Sequence, residues 1–286
     1  MNQTETRALL DRHGLRPSRD RGQNFLCDER VAALLAEAAE VGPADTVLEI
    51  GCGLGLLTRA LAARARRVVA LEIDAGLVRA VRAEGLLPGG AELLHADVLA
   101  VDLGELLEQE AEPRRLVANL PYSVSSPILR QILDEGGRLV GWSVMLQREV
   151  ARRLSAQTGS RDYGSLSVLH QLCAKVEIVR DVARECFYPM PQVVSTFVRM
   201  RPRADAPDRG ELRRIERWVR AGFGQRRKTL WNALRGATDP PAAPDRLEHQ
   251  LAVHGVSRNT RAEELPPALW RELACVAESE DGLGTG

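Results

Sequence analysis

Asn119-Leu120-Pro121-Tyr122 is the stretch of this chain whose residue types come nearest to prescribing a reaction. An exocyclic aromatic amine is a poor nucleophile because its lone pair is delocalised into the ring. Acceptors that hold its hydrogens localise that pair, and the side-chain carbonyl of Asn119 and the main-chain carbonyl of Leu120 could supply two of them. Pro121 fixes the turn, while Tyr122 offers a ring face for stacking an extruded base. The arrangement suits methylation at N6 of adenine and needs no strong general base, because the N6 proton becomes acidic once the methyl has transferred. An Asn-Leu-Pro turn before a helix, with no chemical role, is the competing reading.

Glu49-Ile50-Gly51-Cys52-Gly53-Leu54-Gly55 places glycines between a strand and a helix, where missing side chains let backbone N–H groups and the helix start approach a ligand. The spacing is GxGxG followed by Leu56, so the third glycine of the GxGxxG dinucleotide fingerprint is absent, which lowers the dehydrogenase reading. Glu72 ends the next strand, where a carboxylate can accept hydrogen bonds from both ribose hydroxyls of an adenosine-containing cofactor. Asp97, at the end of the third strand, could accept from the adenine amino group or could simply cap the following turn. Phe187-Tyr188-Pro189-Met190-Pro191 sets aromatics in a proline-stiffened segment, a candidate second wall for a stacked base. Packing under a loop is the alternative for one of these two rings.

The elements that must hold these residues alternate regularly. Strands are predicted at Thr46 to Ile50, Arg67 to Leu71, Ala91 to His95, Arg115 to Ala118 and Leu139 to Leu146, and helices at Leu56 to Ala65, Ala75 to Glu84 and Pro127 to Leu133. Strand-helix alternation implies an α/β fold with a mostly parallel sheet and ligands at the carboxyl ends of the strands, where Glu72, Asp97 and Asn119 all lie. Around Arg201 to Gly210 the composition shifts to Pro, Ala, Asp, Arg and Gly, after which Leu212, Ile215, Trp218, Val219 and Phe223 recur at helical spacing. The expectation is a catalytic domain over residues 1–204 and a small α-helical domain over 205–286, with a disordered tail from Ser279.

Composition narrows the function classes. With 286 residues and 44% apolar content, the chain can fill one large core and one smaller one. Formal net charge is zero, so a polyanionic partner must be argued from local clustering: Arg199 to Arg235 holds twelve Lys or Arg against four Asp or Glu. The five cysteines show no CxxC spacing and no histidine pairing, which points to reduced thiols and no structural metal. No signal-like or bilayer-length apolar run is present, so a cytoplasmic protein is expected.

These motifs together resemble the ribosomal RNA adenine N6-dimethyltransferases, most closely the KsgA (RsmA) type that modifies small-subunit 16S RNA. The resemblance runs from about Arg21 to Leu273. It includes Gly22-Gln23-Asn24-Phe25-Leu26, the glycine turn, the NLPY tetrapeptide, and Phe187, Pro189, Pro191, Val193 and Ser195 in an FxPxPxVxS pattern. Gln147 to Arg153, Tyr163 to Val168 and Gln225-Arg226-Arg227-Lys228-Thr229-Leu230 also look like family segments. Two positions depart from the pattern: Ser123 follows NLPY where Asn is frequent, and Cys52 stands where the glycine turn often has Pro.

The resemblance implies a Rossmann-like class I methyltransferase that uses S-adenosyl-L-methionine. Asn24 and Leu26 would contact the methionine part or close over the cofactor, Gly51 would approach it through the backbone, Glu72 would bind the ribose, Asp97 the adenine, and Asn119 both cofactor and target amine. Tyr122 and Phe187 would sandwich the base. The implied substrate is a pair of adjacent adenosines in the 3′-terminal hairpin loop of small-subunit RNA, dimethylated in a pre-assembled 30S particle, and the basic stretch Arg213 to Lys228 would meet the RNA backbone. A monomer is expected. Three other readings stay open: the large-subunit enzyme that confers macrolide resistance, a ribosome-assembly factor whose binding outweighs its chemistry, and a methyltransferase for DNA or a small molecule. Gln225 to Lys228 and Arg261-Ala262-Glu263-Glu264-Leu265 favour the small-subunit type over the first of these.

Overall fold

Runs such as Thr46 to Ile50, apolar and rich in β-branched residues, form strands where the alternation predicts them, and the order of those strands creates the cleft. The structure is a computed structural model that describes residues 1–18, 22–225, 227–239 and 244–276. Arg21, Arg226 and the tail from Ser279 to Gly286, each part of an expectation above, lie outside the described residues.

The first compact unit comprises Met1–Ala151 and Glu177–Pro202. It opens with α1 (Gln3–Arg12), β1 (Phe25–Leu26) and α2 (Glu29–Ala38). There follow β2 (Thr46–Ile50), α3 (Leu56–Ala62), β3 (Arg67–Glu72), α4 (Ala75–Ala83), β4 (Ala91–His95), α5 (Leu103–Glu108), β5 (Arg114–Asn119), α6 (Ser125–Asp134) and β6 (Gly141–Gln147). After α7 (Arg148–Leu154) and α8 (Ser165–Cys173), the chain adds β7 (Ala174–Val182), β8 (Phe187–Tyr188) and β9 (Ser195–Pro202). The seven-stranded sheet has the order β4-β3-β2-β5-β6-β9-β7, parallel from β4 through β6 and antiparallel where β9 joins β6.

From β2 the chain steps outward to β3 and β4, then returns to place β5 on the other side of β2. That reversal is a topological switch point, and the loops leaving β2 and β5 diverge over an open crevice at the strands' carboxyl ends. Every residue of β2 is buried. Its Val47 belongs to one core cluster with Leu35 and Ala36 of α2, Leu57 and Leu61 of α3, and Phe197 of β9. Local signals set the flanking helices: Asp74 caps α4 by accepting from the N–H groups of Gly76 and Leu77, at 2.8 and 3.2 Å.

The second unit comprises Arg152–Val176 and Arg203–Gly286. It contains α8 with α9 (Arg209–Phe223), α10 (Leu230–Arg235), α11 (Pro244–Val253) and α12 (Pro267–Val276). The single break expected after residue 204 is thus replaced by breaks after 151, 176 and 202. The reason is apolar: α8 buries Val168, Leu169, Leu172 and Cys173, and its approach segment sends the Tyr163 hydroxyl to the Leu265 carbonyl at 2.8 Å. The Tyr163 ring meets Phe223 edge-on, and Phe223 packs on Trp270.

Packing in this unit is tight enough to test. A Cβ at Gly222 of α9 would stand 2.4 Å from Trp270 Cη2, and Trp270 is 0% exposed. Gly222→Ala should therefore cost about 1–3 kcal/mol through overpacking. The check is chemical denaturation, with a lowered midpoint and unchanged cofactor affinity expected. An unchanged midpoint would contradict the packing.

Candidate active site

A cavity of about 260 Å³ opens at the switch point and is lined by Asn24, Leu26, Gly51, Glu72, Asp97, Asn119, Leu120 and Tyr122. Every expected site residue except Phe187 therefore faces one space. The strand ends account for this: β2 delivers the glycine turn, β3 ends in Glu72, Asp97 follows β4, and β5 ends in Asn119.

The glycine turn is built differently from the expectation. Gly51 and Gly53 hold φ of +72° and +58°, a region that favours glycine. Gly51 and Cys52 both donate to the Leu71 carbonyl, at 2.8 and 3.1 Å, and Gly55 donates to Cys52 at 2.9 Å. Gly53 donates to Glu72 Oε2, also at 2.9 Å. Four amide hydrogens that could have met a ligand are thus committed inside the protein, and Gly51 contributes closeness of backbone.

Glu72 is 5% exposed and accepts from two amides, Gly53 at Oε2 and Asp74 at Oε1, the latter at 2.9 Å. Each carboxylate oxygen keeps a further acceptor site. Burial pushes its carboxyl above the ordinary range, and the two N–H groups act in the opposite sense. Asp97 is exposed, and its Oδ1 accepts from Leu99 N–H at 2.9 Å. It caps the turn, as the second of its two readings has it, and it lines the cavity.

Asn119 Nδ2 donates to the Asn24 carbonyl at 3.2 Å, which leaves Oδ1 as the acceptor end of the amide. Asn24 in turn donates to the Gly22 carbonyl at 3.1 Å. Gly22, at φ +63°, sits so close to the Asn119–Tyr122 turn that a Cβ there would lie 3.1 Å from the Tyr122 amide nitrogen. Residues 22–26 and 119–123 therefore form one packed edge of the cavity. The Tyr122 hydroxyl shares a 2.5 Å hydrogen bond with Ser195 Oγ, and burial raises the phenol's pKa while that bond lowers it.

Phe187 corrects an expectation. Its partner across the β1–β8 pair is Leu26, and its ring is 0% exposed in the core cluster with Ala32, Leu35 and Phe197. A ring with no free face stacks on no base, so the second wall is not supplied by Phe187 in this structure.

Sequence reading also missed a group. Glu49, the last but one residue of fully buried β2, lines the cavity with an Oε2 that has no hydrogen-bond partner. Burial pushes its carboxyl up to about 8, the Thr58 hydroxyl pulls it down, and Glu72 adds to the rise. A carboxylate interrupting an otherwise apolar strand was the available signal. Ile73 and Leu99 were missed too; each is exposed, at 50% and 44%, on the cavity wall. Among the described residues no cluster of His, Cys, Asp or Glu could hold a metal ion, and no helix is long and apolar enough to cross a membrane.

The chain matches the family model described as ribosomal RNA adenine dimethylase over residues 15–278. It is 44% identical over 277 residues to the "Ribosomal RNA small subunit methyltransferase A" of Anaeromyxobacter sp. (strain K), covering 93% of this chain and 95% of that relative. Among solved structures, the 23S rRNA methyltransferase ErmE is 32% identical with a TM-score of 0.64, covering 88% of this chain and 98% of ErmE. A dimethyladenosine transferase from Plasmodium falciparum shares the fold at a TM-score of 0.75 and 24% identity, covering 90% of this chain and 98% of its own.

Proposed function

This chain belongs to the ribosomal RNA adenine dimethylase family, and on that premise we propose that it dimethylates N6 of two adjacent adenosines in the 3′-terminal hairpin loop of 16S RNA. The enzyme is an S-adenosyl-L-methionine-dependent rRNA adenine dimethyltransferase. The proposal extends to its setting: a cytoplasmic monomer acting on a pre-assembled 30S particle, with a role in small-subunit biogenesis. The observation that carries the reading is the convergence of the Asn119–Tyr122 and Glu49–Gly55 turns on one cavity.

The cavity fits the cofactor. Glu49 leaves a buried, unpartnered carboxylate oxygen suited to a cationic ligand, Glu72 keeps acceptor sites for a ribose, and Ile73 and Leu99 offer apolar sides for a flat ring beside Asp97. When bound, S-adenosyl-L-methionine supplies an electrophilic methyl group on a sulfonium. Asn24 and Leu26 would contact its methionine part or close over it, and Gly51 would approach it through the backbone. Asn119 Oδ1 and the Leu120 carbonyl accept the target amine's hydrogens and hold its lone pair toward the methyl, and Tyr122 stacks on the base. The apolar lining excludes water from a step in which positive charge is spread between the sulfonium and N6 and then carried away by the N6 proton to solvent.

The helical unit supplies a basic face. Arg213, Arg217 and Arg220 of α9 are exposed and spaced four and three residues apart, on the side away from buried Leu212, Ile215, Trp218 and Val219. With exposed Arg227 and Lys228 they suit an RNA backbone. Replacing Arg213 and Arg220 by alanine should weaken binding to small subunits and lower the salt dependence by about one unit of slope for each phosphate no longer neutralised. A filter-binding titration across salt checks this, with cofactor affinity unchanged.

The reading is tested by transferring radiolabelled methyl from S-adenosyl-L-methionine to small subunits that lack the modification, followed by nucleoside analysis. Label in N6,N6-dimethyladenosine near the RNA 3′ end is the expected result. Label on large-subunit RNA, the substrate in ErmE's name, or on DNA would overturn the substrate.

A further inference from the structure

We propose that Ser195 is a positioning residue for methyl transfer, acting through Tyr122: its buried hydroxyl anchors the phenol and fixes the orientation of the ring against which the target base stacks. The proposal rests on the reading of Tyr122 as that wall.

Tyr122 begins a short 3₁₀ turn, Tyr122–Val124, directly after Pro121, and its side chain is only partly buried. A tyrosine at such a place is free to turn about two side-chain torsions unless its far end is held. The 2.5 Å bond from Tyr122 Oη to Ser195 Oγ holds it. Because a phenolic O–H lies in the plane of its ring, that bond sets the ring's rotation as well as the direction of its axis.

Ser195 is a firm point of attachment. It is 0% exposed, begins β9 and pairs with Gln147 of β6. Both of its neighbours are tied down. Val194 accepts from the Arg148 amide at 3.0 Å. Thr196 Oγ1 donates to Asp181 Oδ1 at 2.6 Å, and Asp181 Oδ2 accepts from Arg148 Nη2 at 2.7 Å. The anchor is therefore braced on β6, β7 and β9, while Tyr122 belongs to the loop after β5. With Phe187 turned into the core, the wall expected from two rings falls to Tyr122, and its alignment is left to this bond.

A double-mutant cycle tests the proposal: Ser195→Ala, Tyr122→Phe and both together, with kcat measured on small subunits lacking the modification at saturating cofactor. Each single change should lower kcat by roughly 10- to 100-fold, since small misplacements of a reacting group carry costs of that order. The double variant should be no slower than the slower single one. Cofactor Kd and thermal midpoint should stay near wild type. Unchanged kcat in either single variant, or effects that multiply in the double, would overturn the proposal. Should Ser195→Ala fail to fold, Tyr122→Phe deletes the same bond from the cavity side and carries the test.

A second readout follows the ring itself. The chain has three tyrosines, so ring-¹³C-labelled tyrosine gives an assignable spectrum, and the Tyr122 signals should pass from a held to a rotationally averaged ring in Ser195→Ala. A spectrum that does not change would also count against the anchor. Tyr122→Ala separates this proposal from its premise. Near-normal kcat in that variant sinks the stacking wall itself, whereas a large loss there beside an unaffected Ser195→Ala sinks only the anchor.

Discussion

Replacing Asn119 by alanine is expected to lower kcat for methyl transfer by at least about 100- to 1,000-fold, the range seen when one preorganised hydrogen-bonding group is removed from a reacting centre. The fold should survive. What the structure loses is one bond, Asn119 Nδ2 to the Asn24 carbonyl at 3.2 Å, on a part-buried side chain, worth about 1 kcal/mol. A thousandfold loss in rate corresponds to about 4 kcal/mol, so the kinetic effect should exceed the structural one several-fold. Cofactor Kd should rise modestly, because the Asn119 amide also steadies the edge that Asn24 belongs to. The measurement is single-turnover methylation of immature small subunits beside thermal melts of both proteins. A variant that melts normally and methylates at a near-normal rate would remove Asn119 from its proposed role. One that melts far lower would show that the amide holds the edge together before it does any chemistry.

Much of this site was legible because its signals are local. A glycine turn after an apolar strand, an acidic residue at the end of each of the next two strands, and Asn-Leu-Pro-Tyr after the fourth place six residues by sequence spacing, Gly51, Glu72, Asp97, Asn119, Leu120 and Tyr122, while Asn24 and Leu26 come from the family resemblance. The parallel sheet then brings those strand ends together. What escaped depends on partners distant in sequence. Phe187 reads as a wall because it lies beside prolines, yet its pairing with Leu26, across more than half the chain, turns the ring inward. The segment around α8 carries no mark of its unit, and only its packing against α9 and α12 assigns it. The amide hydrogens of the glycine turn look available until Leu71 and Glu72, on the neighbouring strand, are seen to take them. Composition names the group in each case, and only tertiary structure says whether it is already engaged.

Glu49 makes the other large prediction. Cofactor affinity should tighten about tenfold for each pH unit between 5.5 and 7.5, roughly 100-fold in all, if a cationic ligand requires the ionised carboxylate. The argument begins with burial, which raises the Glu49 carboxyl from its ordinary 4.5 to about 8. Across that window the cofactor-free protein keeps the proton, while a positively charged ligand beside the unpartnered Oε2 favours its release. The cofactor's own α-amine, with an ordinary value of about 7.7–8.0, is protonated over most of that window and subtracts a little slope only near its upper end. Of the titratable neighbours, Cys52 is held neutral by burial well above its ordinary range, and Glu72 shifts in the same direction as Glu49. Glu49→Gln separates the two carboxylates. It should bind near the wild-type level at pH 5.5, bind more weakly at pH 7.5, and retain only whatever slope Glu72 supplies. The sign for stability is the reverse. As pH rises from 4.5 towards 8 the unfolded chain ionises at Glu49 while the fold holds its proton, so the cofactor-free wild type loses stability through that window and levels off above it. Glu49→Gln should lack this loss. Calorimetry at pH 6.5 in two buffers of different ionisation enthalpy gives a direct count: close to one proton released per cofactor bound in the wild type, and clearly fewer in Glu49→Gln. Equal proton release from both proteins, or a wild-type affinity that is flat across the window, would show that Glu49 keeps its proton with the cofactor in place and that its buried oxygen serves the strand alone.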